Sequence, residues 1–135
     1  MKEAKQTTPM TFDELVDKTV EYYSNNPRSL VTNGIGGYAC QYAGPNGERC
    51  AAARLCDESA TDLEAMDNQD QCAWTDVHHM ATLKPEYAHF TIEQILDLQL
   101  LHDRDWYWIN PYGKNGAVGL TESGKQAAYN LKSRY

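Results

Sequence analysis

An α+β fold is predicted for this chain: two short antiparallel hairpins packed with three or four helices in a single small domain. Three observations carry that reading. Two segments open with a capping box and continue with apolar residues at helical spacing. Two runs rich in Gly, Pro and Asn lie beside short segments that alternate as strands do. The chain has 135 residues, 41% of them hydrophobic and 23% charged, which suits one core in one domain. Residues 1–10 read as a flexible polar leader, and the domain is expected over residues 11–135.

Taken in order, Thr11-Phe12-Asp13-Glu14 is the first capping box, with Met10 and Leu15 placed to staple it. Phe12, Leu15, Val16, Val20 and Tyr23 then mark a buried face, Asp13, Asp17 and Glu21 a solvated one, and Asn25-Asn26-Pro27 ends the helix. Asn33 to Gly37 reads as a loop. Tyr38 to Tyr42 alternates like a strand, and the turn Gly44-Pro45-Asn46-Gly47 returns it as a hairpin through Arg49-Cys50-Ala51. Ala51, Ala52 and Ala53 leave room for close packing.

From Asp57 to Pro85 the pattern is poor. Ala60, Leu63 and Met66 permit a short helix, and Trp74, Val77 and Met80 a second apolar turn. Thr91-Ile92-Glu93-Gln94 is the second capping box. The helix it opens has apolar residues almost all round, from Ile95 to Leu101, and reads as the central core helix. Trp106 to Ile109 and Ala117 to Leu120 flank a turn-rich stretch and form the second expected hairpin. Thr121 caps a last helix in which Gly124, Ala128 and Leu131 share a face.

Twelve Lys and Arg against nineteen Asp and Glu give a net charge of -7. The imbalance is local: residues 1–103 hold 7 basic and 17 acidic side chains, and residues 104–135 hold 5 and 2. Asp57 to Asp76 carries seven carboxylates without a single Lys or Arg. Nucleic-acid affinity rests largely on cations displacing condensed counterions, so direct DNA binding is not expected. Gly119 to Lys125 looks like the joint after the wing of winged-helix repressors, but the helix upstream offers Glu93 and Asp97 and no cation to a groove. A host protein with a basic surface is the natural partner for the acidic stretch, with Asp62, Glu64, Asp67 and Asp70 as its binding residues.

Apolar runs are far shorter than the roughly 20 residues that cross a bilayer, and no apolar segment follows Met1 to Pro9 as a secretory signal would require. The expected setting is the cytoplasm. Cys40, Cys50, Cys56 and Cys72 lack the paired C-x2-C spacing of zinc knuckles and are expected as free thiols, with no metal and no cofactor.

Cys40-Gln41-Tyr42-Ala43-Gly44-Pro45-Asn46-Gly47-Glu48-Arg49-Cys50-Ala51, followed downstream by Leu98-Gln99-Leu100-Leu101-His102-Asp103, resembles small uncharacterised proteins of bacteriophages and prophages. Those proteins carry a C-x-Y-x-G-P-x-G-x-[K/R]-C-A box and later a helix ending L-Q-x-x-H-D. The resemblance covers about Thr11 to Trp106, and Ala53 stands where a glycine is usual. It implies a phage setting, the cytoplasm of a host cell and reduced cysteines, and it supplies no catalytic residue.

No serine elbow, phosphate loop or dinucleotide fingerprint is present, so the leading expectation is a non-catalytic accessory protein. Such a protein would bind and inhibit or sequester a host component, antiviral defence included. The rival from another class is a metal-dependent hydrolase using His78 or His79 with His102 and Asp103. A further alternative is a protein that sequesters a small nucleotide, Tyr42 and Trp106 stacking on the base while Arg49 and Arg54 hold phosphate.

Overall fold

Thr11 accepts the Glu14 N–H at 3.1 Å while Glu14 accepts the Thr11 N–H at 2.9 Å, so the first capping box closes reciprocally and opens α1, Phe12–Asn25. The computed structural model describes residues 9–32, 38–44, 46–69, 71, 73–113 and 115–135, with backbone only for 30–32 and 38–40. The expected leader therefore lies mostly outside the described residues. Met10, counted with it, packs against the core, and its carbonyl meets His89 Nε2 at 2.8 Å.

After α1 come β1, Leu30–Thr32, and β2, Tyr38–Cys40. They pair antiparallel, Leu30 opposite Cys40 and Thr32 opposite Tyr38. The first hairpin thus forms with the segment upstream of Tyr38, not with the one downstream. The expected turn at Gly44 to Gly47 does exist, closed by Gly44 N–H to Glu48 carbonyl at 2.8 Å, but its ladder is reduced to the single bridge Ala43 to Arg49. Two causes are visible. The Asp67 carboxylate takes the N–H groups of Tyr42 and Ala43 at 2.7 and 3.1 Å. The returning strand then curls at Cys50, whose carbonyl accepts the Arg54 N–H at 3.1 Å, into a tight turn over Ala53–Leu55.

The acidic stretch forms α2, Leu63–Asp67, and α3, Trp74–Val77, seated by Leu63, Met66, Trp74 and Val77, all buried. The second capping box opens α4, Ile92–Asp103. Ile95, Leu98 and Leu101 are buried on α4, yet Ile92 and Leu100 reach solvent, and two polar side chains, Gln99 and His102, take buried positions instead. The all-round apolar helix expected from sequence is corrected accordingly: one strip of α4 is surface. Gln99 is buried because its Oε1 accepts the Ala52 N–H at 2.8 Å, which the small Ala51-Ala52-Ala53 run allows to come close.

The second hairpin is as expected. β3, Trp108–Ile109, pairs antiparallel with β4, Gly119–Leu120. Thr121 caps α5, Glu122–Arg134, whose Gly124, Ala128 and Leu131 face inward. A Cβ on Gly124 would collide with the Tyr107 carbonyl, so α5 sits at backbone contact with the turn before β3. Helices α1, α4 and α5 pack mutually, and the buried Trp108 links α1 to α4, its ring 6.2 Å from that of Tyr23 and its Nε1–H donating to the Leu101 carbonyl at 3.0 Å. The chain is α+β, and among the described residues no helix is long and apolar enough to cross a membrane.

Candidate functional site

Ala43 and Arg49, a bridged pair, and the start of the acidic stretch wall an open cleft of about 600 Å³, lined also by Glu58, Thr61, Asp62 and Glu64 among others. Arg49 does not offer itself there to an anion. Its Nε and Nη2 grip the two carboxylate oxygens of Glu58 at 2.9 and 3.0 Å, and Nη1 donates to the Glu48 carbonyl at 2.8 Å. This two-pronged pairing raises the Arg49 pKa and holds the Glu58 carboxyl below its ordinary value. Glu58 was not singled out by sequence reasoning, since it lies nine positions after Arg49 with no periodic pattern linking the two.

With Arg49 neutralised, Asp62 and Glu64 carry the unpaired charge of the cleft. Asp62 caps α2, accepting the Ala65 N–H at 3.0 Å, and remains exposed. Glu64 lies in the first turn of α2, exposed. Asp67 does not join them as a recognition charge. It is half-buried, and its two oxygens are committed to the backbone beside the box. Burial pushes its pKa up although those hydrogen bonds pull the other way. Asp70 lies outside the described residues.

Tyr42 and Trp106 do not form a stacking pair. Tyr42 is 3% exposed and belongs to the core, whereas Trp106 is 60% exposed, with the Arg104 guanidinium 5.4 Å from its ring centre. Arg54 is not among the residues lining Arg49's cleft; it stacks on Tyr22, 3.6 Å above the ring centre.

His102 is fully enclosed, 0% exposed. Its Nδ1 meets Asp103 Oδ1 at 2.7 Å, and its Nε2 accepts the Ser29 N–H at 3.2 Å. An acceptor at Nε2 places the proton on Nδ1, where Asp103 receives it. Burial drives the His102 pKa down against the pull of Asp103, so the neutral ring is favoured. Above it, Arg28, its side chain 1% exposed, bonds to Asp105 Oδ1 and to the His102 carbonyl, each at 2.7 Å, and to the Pro111 carbonyl at 3.1 and 3.2 Å. The Tyr23 ring closes one side, 4.7 Å from the imidazole centre. Burial pushes the Asp105 carboxyl up, and hydrogen bonds from Tyr112 and Arg28 outweigh it to hold the group below its ordinary value.

Ser29, His102 and Asp103 have the composition of a nucleophile, base and acid set, but Nε2 is occupied by the Ser29 amide, and Ser29 Oγ is buried without a partner among the described residues. No substrate reaches it. For the same reason His102 has no nitrogen to spare as a metal ligand. His78 and His79 share one tight turn, their rings 6.1 Å apart and 86° to each other. Among the described residues, no three His, Cys, Asp or Glu side chains stand close enough to hold one ion. Arg28 and Ser29 escaped notice in the sequence because they follow a helix end with no motif around them.

Cys50 and Cys56 are buried free thiols, and burial pushes Cys56 up to about 12. Cys72 and the Cys40 side chain lie outside what is described. Compared with known proteins, the chain matches no family model, no curated protein and no solved structure.

Proposed function

We propose that this is a non-catalytic binding protein whose cleft beside the box receives a basic segment of a partner protein. The observation that carries this reading is the Arg49–Glu58 pair. Arg49 is the one cation among the lining residues, and its charge is already matched, so Asp62 and Glu64 face solvent with no counter-charge from the cleft. A Lys or Arg of a partner would restore the balance and be steered there by the acidic field around it. Joined to the resemblance to phage and prophage proteins, the reading becomes an accessory protein acting in the host cytoplasm. It would block or sequester a host component, defence machinery being the natural target.

The test is capture from host lysate by the wild-type protein and by Asp62→Lys/Glu64→Lys, at low and high salt. A partner retained by the wild type at low salt, lost in the double variant and released by salt supports the reading. Equal capture by both proteins overturns it.

A further inference from the structure

The five described arginines divide into two groups. Arg28, Arg49 and Arg134 each pair with a carboxylate within 3 Å, namely Asp105, Glu58 and Asp97. Arg54 and Arg104 pair with none among the described residues and stack on aromatic rings instead. Arg104 borders a groove that also holds Asp97. Arg54 shares its cleft with Glu21 and Lys18, whose charges offset each other, and forms no ion pair among the described residues.

Arg54 is anchored through its backbone. Its N–H bonds back to Cys50, and its neighbours Ala53 and Leu55 are buried. At 3.6 Å above the Tyr22 ring centre, no N–H fits beneath the guanidinium, so its plane lies along the ring and its donors point sideways. Tyr22 is itself braced edge-on by the buried Tyr23, centroids 4.9 Å apart. Five N–H donors are thus held in a fixed fork, and none meets a protein acceptor among the described residues.

That fork borders an open cleft of about 460 Å³ together with Lys18, Glu21, Asn25, Asn26 and Tyr87. The volume is in the range of small-molecule sites, about 300 to 1,000 Å³. Asn25 and Asn26 donate through Nδ2 to the carbonyls of Glu21 and Tyr22 at 2.9 and 3.0 Å, which turns their Oδ1 atoms into the available acceptors. The last turn of α1 has no basic residue of its own. Its dipole favours a cation nearby, and this accounts for the charge of Arg54 but uses none of its donors.

We propose that this cleft binds a phosphomonoester of nucleotide size. The Arg54 fork takes two phosphate oxygens, Lys18 adds the second positive charge, and the amide oxygens of Asn25 and Asn26 accept from the polar edge of the ligand's body. The site is separate from the acidic cleft of Asp62 and Glu64 and uses none of its residues.

The experiment is titration of the whole protein with adenosine monophosphate, inorganic phosphate and adenosine, followed by amide chemical shifts and calorimetry. Adenosine monophosphate is expected to give saturable shifts at Asn25, Asn26 and Tyr87. Arg54→Gln should weaken it about tenfold or more, since a charge-assisted bond is lost, and Arg54→Lys should fall between, keeping charge without the fork. Arg49→Gln and Asp62→Lys/Glu64→Lys should leave this affinity unchanged, which separates it from the partner-binding reading. Absence of saturable shifts, equal binding of adenosine, or unchanged affinity in Arg54→Gln overturns the proposal. If Arg54→Gln does not fold, the exposed Lys18→Gln decides: weaker binding supports the site, and unchanged affinity overturns it.

Discussion

The amide of Ser29 donates to Nε2 of His102 at 3.2 Å, tying the segment that leads into β1 to the last turn of α4 through a ring that must stay neutral. A second proton on His102 would set two donors face to face.

Stability is therefore expected to fall in mild acid. The folded pKa of His102 is below the unfolded value of about 6.5, so the unfolded chain binds the extra proton first. The contribution is complete above about pH 6.5 and is lost as pH drops through the folded pKa, with a slope of at most about 1.4 kcal/mol per pH unit for one proton. Urea melts from pH 8 to pH 5 measure it. His102→Gln should flatten the curve across that window, and an equally steep curve in the variant would assign the loss to other groups.

Asp67 and Glu64, three residues apart, should answer differently to substitution. Asp67→Ala strands the N–H groups of Tyr42 and Ala43, at about 1 to 3 kcal/mol for each one left unsatisfied. Glu64→Ala, on an exposed first turn, should change stability by about 0.5 kcal/mol or less. Equal losses in denaturant melts would contradict the contacts of Asp67.

On α4, Leu98→Ala should cost roughly 2 to 5 kcal/mol and Thr91→Ala about 1 kcal/mol. Leu100→Ala, on the exposed strip, should cost far less than Leu98→Ala. Similar effects at Leu98 and Leu100 would mean that α4 is rotated about its axis.

Arg49→Ala should leave the fold intact, because the partly exposed pair with Glu58 is worth about 0.2 to 1 kcal/mol. Gly47, at φ 88°, should tolerate Val poorly, since a β-branched residue is strained there. Thermal melts order the two variants, and an Arg49→Ala loss exceeding that of Gly47→Val would reverse the assignment.

Where local chemistry sets an element, it was legible in the sequence. Both capping boxes form, the Trp108–Leu120 hairpin pairs as read, and Gly124, Ala128 and Leu131 share their face. What escaped reading depends on partners distant in the chain. Tyr38 to Cys40 alternates equally well for a strand on either side of it, and the Asp67 carboxylate takes the Tyr42 N–H that a longer downstream ladder would have needed. Leu100 has the same side chain as Leu98, and only the packing of α1, α3 and α5 around α4 decides which is inside. Arg49 read as an anion contact because nothing local reveals Glu58 across the cleft. Arg28 and Ser29 carry no motif, and the partners of the Arg28 side chain and of the Ser29 amide are more than 70 residues away.

That separation bears on how the chain reaches its native state. A single guanidinium, Arg28, gathers the His102 carbonyl, the Asp105 carboxylate and the Pro111 carbonyl, so its desolvation is compensated only after α4 and the following turn have been assembled around it. Until then, placing Arg28 inside costs more than leaving it in water. The early part of the chain therefore has reason to wait for the late part: α1 and β1 should gain lasting protection from hydrogen exchange together with α4 and β3, as one cooperative unit rather than as two halves that mature in turn.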